Sequence, residues 1–505
     1  MRNKLSRRDF LKLVSLVPAA YYLPPVFTTG GNSDLPNIII LVFDSWSASN
    51  ISLYGYPRRT TPNLEKLAEK AIVYHNHYAA GHYTVPGTAG LLTGVLEYQH
   101  QMNSSNKVLA PYFRENNLFG QFPEYKRVGY SHNLLANEVM QNMITTLDTL
   151  KPWQDLYLWA NPAQSLFYRD SDISSVGWIR SMDTSENGAA NSLFLSRILS
   201  LLVSKQNQRQ ADLFPRGIPN FGFSYRFIIE DAIDWLADLA TTEINPLLTY
   251  CHLFPPHAPY STRVEFYNQF TGNGYSQPKK PESFLSDGIS YDDNQRNRRN
   301  YDEYILYVDA EIGRFFSLME SAGKLEDTWI ILTSDHGEIF ERGIKQHKQP
   351  AFYEPLAKVP LMIFPPGQEK RGDIYTPTSA VDILPTLSAI TGRSLPDWTE
   401  GVVLPPFNHD YPPNRPVYIA DGKMNPPGQV YKNASLMLRK GRYKLQHHFG
   451  QNGYYEPLGG VPLSELYDLE NDPEELDNLF DEQGEMGKTL LDELFEKMRE
   501  MGVME

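Results

Sequence analysis

Two short stretches constrain the fold of this chain more than any others. Residues 37–43, NIIILVF, form an unbroken apolar run rich in β-branched residues that ends on Asp44. Residues 329–338, WIILTSDHGE, repeat the pattern, with Asp335 and His336 at the tip. A strand with one wet face alternates apolar and polar residues, so a continuous run reads as a strand buried on both faces. Helical periodicity lies between the two runs. In TTPNLEKLAEKA, Thr61 is placed to cap, Pro62 takes the first helical position, and Leu64, Leu67, Ala68 and Ala71 share a face. Tyr304, Val308, Ile312, Phe315 and Met319 recur at helical spacing until Gly323. EDAIDWLADLA (230–240) reads as a helix and NPLLTYCHLF as another buried strand. Strands alternating with helices over this length predict an α/β fold with a large, mostly parallel sheet.

The remaining segments are organised around that sheet. At 505 residues the chain exceeds one ordinary core, so two or three domains are expected. Residues 101–245 are irregular apart from the one helix, and 272–300 are polar and predicted as a surface loop. Proline-rich sequence near 392–416 marks a join to a smaller C-terminal unit. That unit is predicted to hold strand-like ASLMLRKGRYKLQHHF and SELYDLENDPEELDNL, then a helix from about residue 489. The predicted boundaries are a leader at 1–32, a catalytic domain at 33–400 with a variable substrate-lining region at 101–245, and a C-terminal subdomain at 401–505.

Charge and cysteine content narrow the function. The formal net charge is −14, which argues against nucleic acid as the main partner. The single cysteine, Cys251, excludes an intramolecular disulfide and a cysteine-rich zinc site, and its apolar context predicts a buried small hydrophobe. SRRDFLK (6–12) is a twin-arginine pattern followed by a 15-residue apolar run with three prolines. That run falls short of the ~20 residues of a membrane span. Export by the twin-arginine route to the periplasm or outside the cell is expected. No clear cleavage site is visible, and an uncleaved leader would tether the protein to a membrane.

The chemistry is expected at the carboxyl ends of the strands, where open α/β sheets bind ligands. Asp44, Asp335 and His336 all sit at such ends. Two carboxylates and an imidazole meeting at one edge repel and lose hydration unless a cation neutralises them. These donor types do not choose the metal by themselves. Taken singly, Asp44 serves equally well as a turn cap and Asp335 as a helix cap. His257, in PHAPY after a buried strand, reads alone as a turn histidine. His347 and Lys348, in IKQHKQPAFYE, read alone as a solvated loop. HYTVPGTAGLLTG (82–94) looks like a loop turning into a short helix that begins near Gly87, with Thr84 as nucleophile or as helix cap.

Taken together and in order, PNIIILVFDS, SLYGYPRRTTPNLEKLAEKA, TVPGTAGLLTG, FPPHAPY, YDEYILYVDAEIGR, TSDHGE, FYEPLAKVPLMIF, SAVDILPTL and ELYDLENDPEELDNL resemble the sulfatase branch of the alkaline phosphatase superfamily. The resemblance runs from about residue 36 to 480. It implies the alkaline-phosphatase-like sulfatase fold, with a smaller C-terminal sheet-plus-helix subdomain, and a metal-dependent ester hydrolase. By it, Asp44, Asp335 and His336 match metal ligands, and His257 matches a histidine that holds the ester or protonates its leaving group. Lys348, or else His347, falls where the family has a basic residue near the substrate oxyanion. Thr84 falls on the nucleophile position and would also touch the metal. The resemblance favours one calcium ion, with Mn, Mg or Zn as alternatives.

Three departures matter. Sulfatases of the usual kind carry C-x-P-x-R, whose cysteine becomes formylglycine. Here Thr84 replaces that cysteine and Thr88 the arginine, and oxidising a secondary alcohol gives a ketone, so the formylglycine route is closed. Ser45 stands where many members have a second aspartate. No Asp/His set for a second metal stands out in 101–260. A metal-activated Thr84 hydroxyl is therefore expected to attack sulfate or, more defensibly, phosphate or phosphonate esters of a small molecule, glycan or lipid. The competing expectations are a phospho-group transferase acting on exported glycans or lipids, and a catalytically silent protein that binds an anionic glycan.

Overall fold

The computed structural model describes residues 35–504, apart from 104–105, 159–170, 183–191, 199–200, 202–209 and 222–224. The twin-arginine leader lies outside the described residues. No described helix is long and apolar enough to cross a membrane.

The two acid-tipped runs are neighbouring central strands. Eight strands form the main sheet: β1 (Asn37–Asp44), β2 (Ile72–Tyr74), β3 (Lys126–Ser131), β4 (Thr149–Leu150), β5 (Leu247–Pro256), β6 (Thr328–Ser334), β7 (Leu361–Phe364) and β8 (Gly372–Ile374). Their spatial order is β8-β2-β7-β6-β1-β5-β3-β4. β1 runs parallel to both β5 and β6, β3 runs parallel to β5, and β7 is antiparallel to its neighbours. The apolar run of β1 splits by parity. Ile39, Leu41 and Phe43 join the core on one face, and Ile38, Ile40 and Val42 join the core on the other. Burial on both faces is what makes the run continuous in sequence. Cys251 on β5 is fully buried in the first of these cores, as expected.

Helices cover both faces. α1 (Pro62–Leu67), α2 (Thr84–Thr93), α3 (Ile229–Thr242) and α4 (Tyr291–Ser321) were legible, with differences at their ends. Thr61 stands at the N-cap of α1 without bonding the helix through its side chain. Asp309 on α4 does that work instead, accepting from the backbone N–H of Asn63 at 2.8 Å and of Leu64 at 2.9 Å. A cap supplied from another helix leaves no local signature. α4 begins at Tyr291, inside the predicted loop 272–300, because Ser290 caps it by accepting from Asp293 N and Asp292 and Asp293 suit its first turn.

The C-terminal part forms a separate antiparallel sheet of β9 (Val417–Asp421), β10 (Ala434–Lys440), β11 (Tyr443–Phe449) and β12 (Leu463–Asp468) in sequence order. β10 and β11 are the two halves of the predicted strand-like stretch. α5 (Gly484–Glu500) starts five residues before its first predicted position and buries Leu490, Leu494 and Met498 against this sheet. The architecture is thus a large mixed, mostly parallel sheet flanked by helices, with a small C-terminal sheet plus helix.

A candidate metal-dependent active site

Adjacent pairing of β1 and β6 puts the two acid tips side by side. Phe43 is in register with Ser334, so Asp44 and Asp335 follow at the same edge. The pairing of β1 with β5 shifts between Phe43 and Asp44, a bulge that re-aims the Asp44 side chain. The next residue, Ser45, holds φ of 60°, a conformation a non-glycine residue adopts at a cost. Three contacts hold it there. Ser45 N donates to Asp335 Oδ1 at 3.2 Å, Tyr301 OH donates to Ser45 O at 2.5 Å, and the following Trp46 N donates to Ser334 Oγ at 2.9 Å.

Asp44, Asp335 and His336 are fully buried or nearly so, and each offers a ligand atom within 4.8 Å of the others. His336 Nε2 lies 3.5 Å from Asp44 Oδ1 and 3.5 Å from Asp335 Oδ2. His336 Nδ1 lies 2.9 Å from Gly337 O, and a carbonyl only accepts, so Nδ1 carries the proton. The Nε2 lone pair therefore faces two carboxylates, and neither His336 Nε2 nor Asp335 Oδ2 has a hydrogen-bond partner among the described residues. Lone pairs converging in a dry site require a cation. This donor set fits a divalent ion.

The ionisable groups carry the same imprint. Burial and then the negative charge of Asp44 raise the Asp335 carboxyl well above the usual range. Burial also works against ionised Asp44, but the imidazoles of His257, His252 and His336 outweigh it and hold Asp44 well below that range. Burial, and then His347, push His336 well down and keep it neutral, the form that ligates metals. Burial likewise lowers His257.

Thr84 is brought to this cluster. It is the first residue of α2, with Tyr83 at the N-cap, so the helix starts three residues before the predicted Gly87 and Thr84 is not its cap. Asn133 bridges the hydroxyl to the cluster. Its Nδ2 donates to Thr84 Oγ1 at 3.2 Å and makes a very short contact with Asp44 Oδ2. Gly87 lets α2 press onto the acid tip: a Cβ there would stand 2.3 Å from Asp335 O.

The loop after β6 places His347 at the site. Its ring centroid is 4.4 Å from that of His336 and 4.9 Å from that of His257. His347 Nδ1 lies 3.0 Å from Glu338 Oε1 and 3.5 Å from Ser45 Oγ. Burial opposes its charge, but the Glu338 carboxylate prevails and raises it. Lys348, the first-named basic residue, is exposed. His347 sits in a turn that Lys348 N closes on Lys345 O at 3.4 Å, with Gln346 at φ 59°. His257 Nδ1 lies 2.6 Å from Ala258 O, which likewise leaves its Nε2 without the proton.

Sequence alone missed two residues. Asn133 lies past β3 in the segment without readable motifs, and His252 lies inside the run that announces β5. His252 Nε2 is 3.3 Å from Asp44 Oδ2 and 3.7 Å from Asp335 Oδ2. A polar residue that interrupts a doubly buried apolar strand was the available signal.

Comparisons with known proteins give the family. The sulfatase family model matches residues 36–393, and a model described as N-sulphoglucosamine sulphohydrolase, C-terminal, matches residues 346–503. The chain belongs to the sulfatase family and is an ester hydrolase by class. Among its relatives, an uncharacterized sulfatase, YidJ, of Escherichia coli is 24% identical over 88% of this chain and 83% of that protein. The choline-sulfatase of Rhizobium meliloti is 23% identical over 88% and 82%. Of the solved structures, the phosphonate monoester hydrolase of Agrobacterium radiobacter shares the fold at a TM-score of 0.64 and 18% identity, covering 92% of this chain and 96% of that one.

Proposed function

We propose that the protein hydrolyses phosphate, phosphonate or sulfate esters with one divalent cation and with Thr84 as nucleophile. The observation that carries this reading is the Asn133 amide, which donates to both the Thr84 hydroxyl and Asp44 and so holds the hydroxyl against the Asp44–Asp335–His336 cluster. When bound by those three residues, the cation supplies Lewis-acid chemistry: it lowers the pKa of a neighbouring hydroxyl and offsets charge on the ester. Thr84 Oγ attacks phosphorus or sulfur in line, and a covalent threonyl ester forms as the alcohol departs. The N-terminal end of α2 faces the anion with its positive dipole end. His347, whose charged form Glu338 favours, balances negative charge on the equatorial oxygens. His257 stands beside it with Nε2 unprotonated at rest; it holds the ester, takes up the proton that Thr84 gives up on attack and passes it to the leaving oxygen. Water then cleaves the threonyl ester and restores the hydroxyl.

Phosphate and phosphonate esters are the preferred substrates in this reading, because Thr84 cannot become formylglycine. Names among the relatives, choline-sulfatase and phosphonate monoester hydrolase, bracket the same choice. The twin-arginine pattern at 6–12 supports export of the folded protein, with tethering if the leader stays uncleaved.

The test is a panel of aryl sulfate, aryl phosphate, phosphonate monoester and bis-aryl phosphate, with and without chelator, run beside Thr84→Ala. Turnover that chelator and Thr84→Ala both abolish supports the mechanism. Full activity in Thr84→Ala overturns the threonine nucleophile. Absence of turnover on every ester would instead leave an anion-binding protein.

A further inference from the structure

We infer that the protein has a second, non-catalytic site that takes a phosphate or sulfate group carried on a sugar, with Arg298 as its anchor. The site is a cavity of about 990 Å³ bounded by the residues that follow β2 and β8, by α4 and by β10 of the C-terminal sheet. Its volume is at the upper end of the range of small-molecule sites. β2 and β8 run in the same direction as β6, so the cavity lies at the sheet edge that carries the acid tips. None of the residues that hold the cation or the Thr84 hydroxyl lines it, and the inference does not rest on the hydrolase reading.

Arg298 lines the cavity from α4 and is 2% exposed. A guanidinium does not shed its proton, so this charge stays buried. Its Nε and Nη2 have no hydrogen bond among the described residues. Glu341 Oε2 stands 3.6 Å from Nη2, too far for one. Glu341 is also shared: Lys280 Nζ lies 3.1 Å from it, Arg342 Nε lies 3.7 Å from it, and the Gln277 amide makes a very short contact with the oxygen that faces Arg298. Arg58 is equally buried, yet it gives Nη1 to Asp302 Oδ2 at 2.7 Å and Nη2 to Tyr275 O at 3.2 Å. A buried guanidinium whose N–H groups go unmet costs free energy that an anion recovers, and its planar fork suits two oxygens of one tetrahedral group.

Lys358 brings a second cation to the same wall. Its Nζ stands 3.8 Å from Glu354, which Lys444 already holds at 3.1 Å. Burial pushes the Lys358 ammonium down, a cost that an anion in the cavity offsets. The acids on the wall do not cancel these charges. Glu354 is committed to Lys444, Glu474 holds Lys280 at 2.7 Å, and Glu470 is exposed at the rim.

A bare phosphate or sulfate fills only a small part of this volume, so the anion is carried on a larger body. Polar side chains, Ser49 and Asn76 among them, line the cavity beside tyrosines. At the rim, Tyr375 is 65% exposed but fixed. Its ring stacks on His75 with centroids 4.4 Å apart and planes 8° apart, and Asn76 Nδ2 donates to its carbonyl at 2.6 Å. A fixed, exposed aromatic ring beside polar groups suits a sugar, whose C–H face packs on the ring while its hydroxyls bond the wall.

Calorimetry on the full-length protein tests this. Glucose 6-phosphate, glucose 6-sulfate, AMP, inorganic sulfate and plain glucose are titrated in chelator, which removes the cation of the catalytic site. Both sugar esters should bind and glucose should not. Arg298→Gln should weaken both esters at least about tenfold. Tyr375→Ala, at an exposed position, should weaken them about threefold and leave inorganic sulfate unchanged. Should Arg298→Gln not fold, Lys358→Gln, whose side chain is partly exposed, should weaken both esters about fivefold. No binding of either ester in chelator overturns the site, as does wild-type affinity in Arg298→Gln or, where that variant fails to fold, in Lys358→Gln. Tighter binding of AMP than of glucose 6-phosphate overturns the sugar. Turnover of an aryl phosphate by metal-loaded Arg298→Gln, or Lys358→Gln in its place, should match the wild type, and a loss of turnover equal to the loss of binding overturns a site apart from the catalytic one. Ester binding in a wild type that turns over no ester overturns the hydrolase reading alone.

Discussion

Among the clusters of buried charge in the described residues, two are built on opposite principles. Where the C-terminal sheet meets the segment after β6, Lys444 Nζ lies 3.1 Å from Glu354 Oε1 and against Glu475, and Glu475 Oε2 accepts from Glu354 N at 2.8 Å. Arg439 Nε donates to Tyr78 OH at 3.0 Å beside them. Opposite charges are paired there within the protein. At the β1–β6 edge the acids instead face lone pairs, and Asp335 Oδ2 and His336 Nε2 have no hydrogen bond among the described residues. Both clusters are dry, so desolvation cost does not separate them. What separates them is whether the protein itself supplies the countercharge. A cluster closed on itself joins elements, whereas one left open is completed by a ligand.

The same kind of substitution should therefore act in opposite directions at the two places. Asp335→Asn removes one of two facing carboxylates. Esterase activity should fall more than about 10³-fold, a loss of roughly 4 kcal/mol in transition-state stabilisation. The metal-free protein should unfold at an unchanged or higher temperature, because repulsion with Asp44 is relieved. Initial rates with and without added metal, beside a thermal scan in chelator, check both halves. A large drop in the melting temperature of the metal-free variant would erase the distinction.

Lys444→Met is the counterpart. It removes the cation that Glu354 and Glu475 share, leaving only Lys358 at 3.8 Å from Glu354, and should cost about 3–5 kcal/mol. The two acids then hold protons more tightly folded than unfolded, so the loss should be larger at pH 8 than at pH 5. Adding Glu354→Gln and Glu475→Gln to Lys444→Met should recover most of the stability. Denaturant titrations at both pH values measure this. A cost under about 1 kcal/mol would show that the pairing contributes little.

The open cluster was far more legible in sequence than the closed one. Asp44 and Asp335-His336 terminate unbroken apolar runs, so strand burial, sheet edge and chemistry are written in one stretch. Lys444, Glu354 and Glu475 come from three distant segments with no shared pattern, and only the folded chain brings them together. The same limit hid Asn133 and the capping of α1 by Asp309, whose partners lie far away in sequence. His347 and Lys348 were separable only once the loop's turn was known. Strand identity is a local property of the chain, whereas side-chain facing in a loop is set by what the loop packs on.

A third kind of buried ionisable group belongs to neither cluster. His132 stacks on Phe227 with ring centroids 4.2 Å apart, and neither ring nitrogen has a hydrogen bond among the described residues. Burial pushes it down to about 3. Between pH 6.5 and about 3 the unfolded chain takes up a proton that the folded one refuses, so stability is lost as pH falls through that window. His132→Phe keeps the stack and removes the titration. Relative to the parent, the variant should gain about 2 kcal/mol at pH 5 and little at pH 8, at roughly 1.4 kcal/mol per pH unit below 6.5. Urea unfolding at the two pH values gives the difference, and equal gains at both would mean that packing rather than protonation is responsible.

The smallest effect belongs to charge that was never buried. Lys107 Nζ lies 2.8 Å from Glu138 Oε2 with side chains 49% and 40% exposed. Water screens such a pair and fixing two long side chains costs entropy, so Lys107→Met should change stability by less than about 0.5 kcal/mol. Half-molar salt should remove even that, since the screening length falls to about 4 Å. The Lys444→Met deficit should persist in the same salt, because ions do not enter a buried site. A matched salt series on the two methionine variants makes the comparison directly. If the Lys444→Met deficit faded with salt as well, solvent would be reaching that cluster, and its closure on itself would no longer explain why it differs from the acid tips of β1 and β6.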